Sequence, residues 1–362
     1  MNQPKIMIMA GGTGGHVFPG LAIANALKNR NCSVIWLGTK IGIESKVVPE
    51  AGFKIEYINV GGLRGKTFKA FFYSLGKLLM AFAHSFVILL RHRPDVILGM
   101  GGFVSGPGAL AAFLLRYPVI IHEQNAIAGG TNKILARIAS LVMEAFPGSF
   151  PENIKVQTIG NPVRQDITIL DPPNIRLKDR EGPIRILVIG GSQGSLILNK
   201  SLPKVFNDLA SSAKIEVLHQ AGEKTLSEAQ KAYEGVSVGL YLVEFIDDMA
   251  DAYNWADIVI CRSGAMTVTE LMTVGLPAIL IPFSLAIDDH QTANANIMKK
   301  IGAAEIIHEK ELLNGKLILL LRNWVEDRNK LQQRACLAAT MSKPNATNEI
   351  VRACLNYVSS YD

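Results

Sequence analysis

Twice along this chain a short apolar run enters a glycine-rich turn and then a helical pattern. The first instance is Ile6–Met9 followed by Gly11-Gly12-Thr13-Gly14-Gly15, with a helix expected from near Pro19. The second is Ile184–Ile189 followed by Gly190-Gly191-Ser192-Gln193-Gly194. A strand that turns on glycines into a helix opens a βαβ unit, so the pattern predicts an α/β protein with parallel sheets. Further strand-like runs are Val34–Leu37, Ile55–Val60, Asp95–Gly99, Val119–His122, Leu141–Ala145, Ile258–Cys261 and Ala278–Ile281. The stretch PDVILGMGG at Pro94–Gly102 echoes ADIVICRSG at Ala256–Gly264. A length of 362 residues favours two domains. The expected division is residues 1–161 and 162–340, with a polar, proline-rich connector around Asp171–Pro173 and Glu181–Pro183. A C-terminal helix, about residues 341–362, is expected to return to the first domain.

In doubly wound sheets ligands bind beyond the carboxyl ends of the strands, where both glycine clusters lie. Glycine lets the backbone approach a ligand closely, and a helix N-terminus favours negative charge. Neither cluster is a dinucleotide fingerprint, because Val17 stands where the last glycine is required. Gly65-Lys66-Thr67 mimics the end of a P-loop, but Val60 occupies the place of its first glycine. His16 follows the first cluster, where a base of near-neutral pKa is useful; a structural histidine is the alternative. His122-Glu123-Gln124-Asn125 places polar residues just after an apolar strand and must find hydrogen bonds, to a ligand or to the loop itself. In Arg262–Leu271 a strand ends in Arg-Ser-Gly and a helix starts. Its N-terminus suits a diphosphate, and Glu270 suits the two hydroxyls of a ribose or merely the helix dipole. Asp288-Asp289-His290-Gln291 suits sugar hydroxyls or an acidic metal site.

The net charge is +6, which is compatible with nucleic acid, an anionic membrane surface or a phosphate-bearing substrate. Cys32, Cys261, Cys336 and Cys354 form no metal-type spacing and read as thiols of a reducing compartment. The N-terminus has no signal-like pattern, so a cytoplasmic location is expected. Phe71–Leu90 is strongly apolar, but Gly76, Lys77 and His84 argue against a membrane span. Its helical spacing (Phe71, Phe72, Leu75, Leu78, Leu79, Phe82, Phe86, Leu89) suits a buried crossover helix, a helix whose exposed edge touches a membrane, or both.

The chain resembles the bacterial enzymes that transfer N-acetylglucosamine (GlcNAc) from UDP-GlcNAc onto lipid I to make lipid II for peptidoglycan. The resemblance rests on Met9–Gly20, Gly61–Lys66, Gly99–Gly108, His122–Asn125, Gly160–Arg164, Gly190–Gly194, Phe245–Met249, Cys261–Ala265 and Asp289–Gln291, in family order along nearly the whole chain. It implies a glycosyltransferase-B fold, with two Rossmann-like doubly wound domains facing a cleft, and an inverting transfer; because a helix N-terminus can hold the diphosphate, no cofactor or metal is expected. Carried over by motif, Thr13, Gly14 and Gly15 contact donor or acceptor phosphates, and His16 is a candidate base. Asn125, Arg164, Ser192, Ile246, Ala265, Met266, Thr267, Val268, Thr269, Glu270 and Gln291 hold UDP-GlcNAc, with Ile246 at uracil, Glu270 at ribose and Gln291 at the sugar. The implied partners are UDP-GlcNAc, lipid I, an anionic membrane surface through Phe71–Arg93, and cell-wall or division proteins, with no nucleic acid. The implied location is the cytoplasmic face of the inner membrane, peripherally bound. Leu317–Leu321 is unusually aliphatic, and no function is expected beyond Glu309. Two alternatives stand beside this reading: a UDP-sugar transferase for a soluble glycan or a lipid A precursor, and a non-catalytic nucleotide-sugar-binding scaffold.

Overall fold

The computed structural model describes residues 3–60, 68–191, 193–284 and 289–359, with backbone alone at 68–75 and 359. The chain divides into two compact units: Met1–Val163 with Lys343–Asp362, and Arg164–Ser342.

The first unit is built on seven strands: β1 (Lys5–Ala10), β2 (Ser33–Gly38), β3 (Lys54–Tyr57), β4 (Val96–Gly101), β5 (Val119–Glu123), β6 (Leu141–Glu144) and β7 (Gln157–Thr158). They pair in parallel in the order β3-β2-β1-β4-β5-β6-β7. Central strands of a parallel sheet are covered on both faces and therefore read as unbroken apolar runs. Ile6, Met7, Ile8 and Met9 are all fully buried, as are Ile97, Leu98, Ile120 and Ile121. The β1–β4 register slips between Met9 and Ala10, which brings Ala10 beside Gly101. The glycine turns after both strands are thereby set side by side.

The second unit has six strands: β8 (Ile184–Ile189), β9 (Ile215–Gln220), β10 (Gly239–Val243), β11 (Ile258–Cys261), β12 (Ala278–Leu280) and β13 (Ala304–Ile306). Their order, β10-β9-β8-β11-β12-β13, repeats the first six positions of the first sheet. The echo of Pro94–Gly102 in Ala256–Gly264 has its reason here. Both stretches form the strand next to the first strand of a unit, so their loops flank the point where strand order reverses.

Strand ends differ from the expected ones by a residue or two, the units divide at Val163/Arg164, and three further features depart from the sequence expectation. The first helix spans Gly14–Lys28, so Gly14 and Gly15 form its first turn and Pro19 lies inside it. Glycine is required at two of these positions: a side chain at Gly14 would press on Phe18 of the same helix, and one at Gly20 on Trp36 of β2. The third strand ends at Tyr57, not Val60. The proline-rich connector is no free linker. It holds a short helix, Pro173–Arg176, and Arg176 donates to the carbonyls of Val274 (3.1 Å) and Gly275 (2.8 Å). Arg180 donates to the carbonyls of Asn254 and Trp255 and pairs with Asp257 at 3.1 Å.

The C-terminal helix Ala346–Ser359 packs on the first unit, with Ile350, Val351 and Cys354 buried in its core. The aliphatic run Leu317–Leu321 lies in helix Lys316–Val325, with Leu317 and Leu321 in the core of the second unit. Helix Phe68–His92 exposes Leu79, Met80, Val87 and Leu90, whereas Phe82 and Phe86 pack against the core and each other. Among the described residues no helix is long and apolar enough to cross a membrane. Gly61–Lys66 and the side chains of Phe71, Phe72 and Leu75 lie outside the description.

Candidate functional site

In the first unit the glycine turns after β1 and β4 touch through their backbones. Gly102 has φ +84°, and a Cβ there would run into the Gly11 carbonyl. Thr13 is exposed at the start of helix Gly14–Lys28, and its Oγ1 lies 3.2 Å from His16 Nδ1. The His16 ring lies over Gly101, where a Cβ would come within 2.7 Å of His16 Cδ2. Thr13, Gly14, Gly15 and His16 thus share one corner. That corner is held from behind by Glu44, a residue outside every motif. Glu44 is fully buried, and its carboxylate accepts the Gly12 N–H (3.0 Å), the Thr39 N–H (2.9 Å) and the Thr39 hydroxyl (2.7 Å).

His122-Glu123-Gln124-Asn125 finds its partners inside the unit. His122 Nε2–H donates to the Gly160 carbonyl (2.9 Å), and Gln124 donates to His122 Nδ1 (3.1 Å). Burial holds this imidazole below its ordinary pKa, and so neutral. Glu123 accepts from Asn125 N–H and side chain, from Gly129 N–H and from Asn132. The stretch is a loop-fixing network that presents a half-buried Asn125.

In the second unit a groove of about 850 Å³ opens at the switch point. Gly190, Gly191 and Gly194 form one wall, with Gly264 and Thr267 at the N-terminus of helix Ala265–Val274 and Gln291 on helix His290–Lys300. Gln291 Oε1 accepts the Phe283 N–H at 2.9 Å, so its NH₂ end is the part of the amide that can donate to a ligand. Arg262 joins the segments around the groove. Its guanidinium meets Glu309 at 2.6 Å and the Ser195 hydroxyl at 3.0 Å. It also donates to the carbonyls of Ile281 and Pro282 and lies over the Phe283 ring at 5.3 Å. Glu309 further accepts from Ser284, and these bonds hold its carboxyl below the usual range despite burial. Lys200, Leu196 and Leu313 complete the far end.

The other described residues expected in this unit, Thr267 excepted, do not line the groove. Glu270 is half-buried and accepts a hydrogen bond from Tyr253 at 2.9 Å; burial pushes its carboxyl up, while Tyr253 and Arg164 oppose the shift. Arg164 is exposed at the start of helix Gln165–Thr168, and Ile246 is half-buried in the loop after β10. Met266 is half-buried, Val268 is fully buried, and Ala265 and Thr269 are almost so. Of Ala265–Glu270 only Thr267 lines the groove. Ser192 and Asp288 lie outside the described residues. Among those described, no group of three His, Cys, Asp or Glu side chains is disposed to hold a metal ion. Glu44, Tyr253, Glu309 and Lys200 were not legible as site residues, because none adjoins a motif. Arg262 carried a signal in standing directly before Ser263-Gly264.

Residues 6–144 match the glycosyltransferase family 28 N-terminal domain, and residues 185–350 match the family 28 C-terminal domain. The chain is 46% identical over 355 residues to a Nitrosococcus oceani protein, covering 98% of this chain and 99% of that one. It is 48% identical over 350 residues to a Cronobacter sakazakii protein, covering 96% of each. Both relatives are named UDP-N-acetylglucosamine--N-acetylmuramyl-(pentapeptide) pyrophosphoryl-undecaprenol N-acetylglucosamine transferase. The crystal structure of Acinetobacter baumannii MurG superposes with a TM-score of 0.87 at 36% identity, covering 98% of this chain and 99% of that one. Two parallel-sheet α/β units with glycine turns at both switch points, matched along nearly their whole length, place the chain in glycosyltransferase family 28.

Proposed function

We propose that this protein transfers GlcNAc from UDP-GlcNAc to the muramyl C4 hydroxyl of lipid I, giving lipid II for peptidoglycan synthesis. The observation that carries the reading is the 46–48% identity, over nearly the full length, to relatives that bear that name. The groove of the second unit supports it: glycine backbone, a helix N-terminus and an amide donor suit a diphosphate and a sugar. In this reading the acceptor hydroxyl oxygen attacks the sugar C1 as the bond from C1 to the UDP oxygen breaks, with inversion. The hydroxyl proton passes to a base, for which His16 is the candidate. Charge developing on the leaving diphosphate is met by the N–H groups at Gly264–Thr267 and at Gly190–Gly194. The first unit takes the acceptor diphosphate at Thr13–Gly15. Glu270, Arg164, Ile246, Asn125, Ser192 and Gln291 complete the grip on the donor. No metal is required in this scheme.

The exposed apolar stripe Leu79, Met80, Val87 and Leu90, with Arg91 and Arg93 near its end, suits an anionic membrane surface. The protein is accordingly read as peripheral, on the cytoplasmic face of the membrane that holds lipid I.

The test is incubation with UDP-GlcNAc and a polyprenyl-diphosphate-N-acetylmuramyl-pentapeptide acceptor, with and without EDTA. UDP release and a disaccharide-lipid product are expected in both arms. No product in either arm removes the reading, and loss with EDTA that magnesium restores removes its metal-free part.

A further inference from the structure

Tyr253 lies on helix Met249–Trp255 and is 1% exposed. A buried tyrosine hydroxyl requires an acceptor, and this one donates to Glu270 Oε2 at 2.9 Å. The helix that carries Tyr253 is capped by Asp248, whose Oδ1 accepts the Asp251 N–H at 2.8 Å. Ile246, the residue expected at the uracil, stands just before that cap. The helix that follows the loop assigned to the base thus carries the hydroxyl that meets the carboxylate assigned to the ribose.

Packing does not account for the hydroxyl. Phenylalanine fills nearly the same volume, and a buried carboxylate–hydroxyl pair is costlier to desolvate than an apolar contact. The surroundings are otherwise adverse to Glu270: burial disfavours its charge and Asp166 adds like charge, and among the described residues Arg164 adds opposite charge.

We propose that Tyr253 is a positioning residue for ribonucleotide recognition: its hydroxyl engages Glu270 Oε2, fixes the rotation of the carboxylate and turns Oε1 toward the ribose hydroxyls of the donor. The inference rests on the assignment of Glu270 to the ribose. Tyr253 itself touches no substrate. Its consequence is discrimination between ribo- and deoxyribonucleoside diphosphates.

The experiment measures Kd for UDP and 2′-deoxy-UDP, and KM for UDP-GlcNAc and for the acceptor. It compares the unaltered protein, Tyr253→Phe, Glu270→Gln and the double variant. The unaltered protein is expected to prefer UDP to its deoxy analogue by about tenfold, as for a hydrogen bond to a charged group. Tyr253→Phe should erode most of that preference by weakening UDP while leaving 2′-deoxy-UDP and the acceptor KM within about twofold. In the Glu270→Gln background Tyr253→Phe should change UDP affinity little, because the hydroxyl acts through the carboxylate. A ribo/deoxy ratio unchanged by Tyr253→Phe overturns the proposal while leaving Glu270 at the ribose. Additive effects in the double variant overturn it as well. If the unaltered protein shows no preference, the assignment of Glu270 falls and the proposal with it.

Discussion

The backbone N–H of Gly12 donates to Glu44 Oε2 at 3.0 Å, while Glu44 Oε1 takes the N–H and hydroxyl of Thr39 at 2.9 and 2.7 Å. A fully buried carboxylate thus holds the first glycine turn against the loop after β2. Glutamine at this position keeps the shape but replaces one accepting oxygen with a donor, leaving the N–H of Gly12 or of Thr39 opposed. Glu44→Gln should lose about 2 kcal/mol of stability in urea unfolding. Its kcat/KM for the lipid acceptor should fall more than its affinity for UDP, because the turn belongs to the unit assigned to the acceptor. Equal losses on both substrates would indicate general damage instead.

Arg262 is a fork that holds Ser195, Glu309 and the carbonyls of Ile281 and Pro282 at once. Lysine keeps the charge but lacks the planar set of donors. Arg262→Lys should raise the KM for UDP-GlcNAc by about tenfold, the scale of losing one or two charge-assisted hydrogen bonds. The acceptor KM should move by less than that. Steady-state kinetics with each substrate varied in turn gives the comparison.

The exposed and packed faces of helix Phe68–His92 separate membrane contact from stability. Sequence spacing alone groups Leu79 with Phe82, but Leu79 is 62% exposed and Phe82 is packed on the core. Glutamine at Leu79, Met80 and Val87 together should cut co-flotation with phosphatidylglycerol vesicles severalfold and leave the melting temperature near its original value. Phe82→Ala should do the reverse, with a stability loss of about 3 kcal/mol. Undiminished flotation of the triple variant would remove the membrane role of the stripe.

His219 is fully buried beside Tyr233, with Nδ1 2.8 Å from the phenol oxygen, and burial lowers its pKa from 6.5 to about 3. The unfolded chain takes up this proton below pH 6.5, whereas the folded protein refuses it until about pH 3. Stability is therefore full above pH 6.5 and falls with acid, by at most about 1.4 kcal/mol for each pH unit in that window. His219→Gln should flatten the difference between urea unfolding at pH 7 and at pH 5, and an unchanged slope would assign the acid sensitivity to other groups.

How far the chain could be read without its structure depends on the range of the forces involved. Strands such as Ile258–Cys261 were legible to the residue, because a strand buried on both faces must be apolar throughout. The glycine turns were legible too, since backbone that approaches a ligand or another backbone tolerates no side chain. The helical first turn at Gly14 and Gly15 was not. Glycine and Pro19 signal a later start, whereas the helix begins at Gly14.

Sequence by itself determined the two-unit α/β architecture, the family and the glycine turns at the strand ends, all of which are written in local patterns. Tertiary structure alone decided what stands behind them. It brought Glu44 to Gly12, Glu309 to Arg262 and Tyr253 to Glu270, and it chose which stripe of helix Phe68–His92 stays exposed. Each choice is made by burial. A carboxylate taken out of water needs donors from wherever the fold delivers them, and no spacing along the chain records where that is.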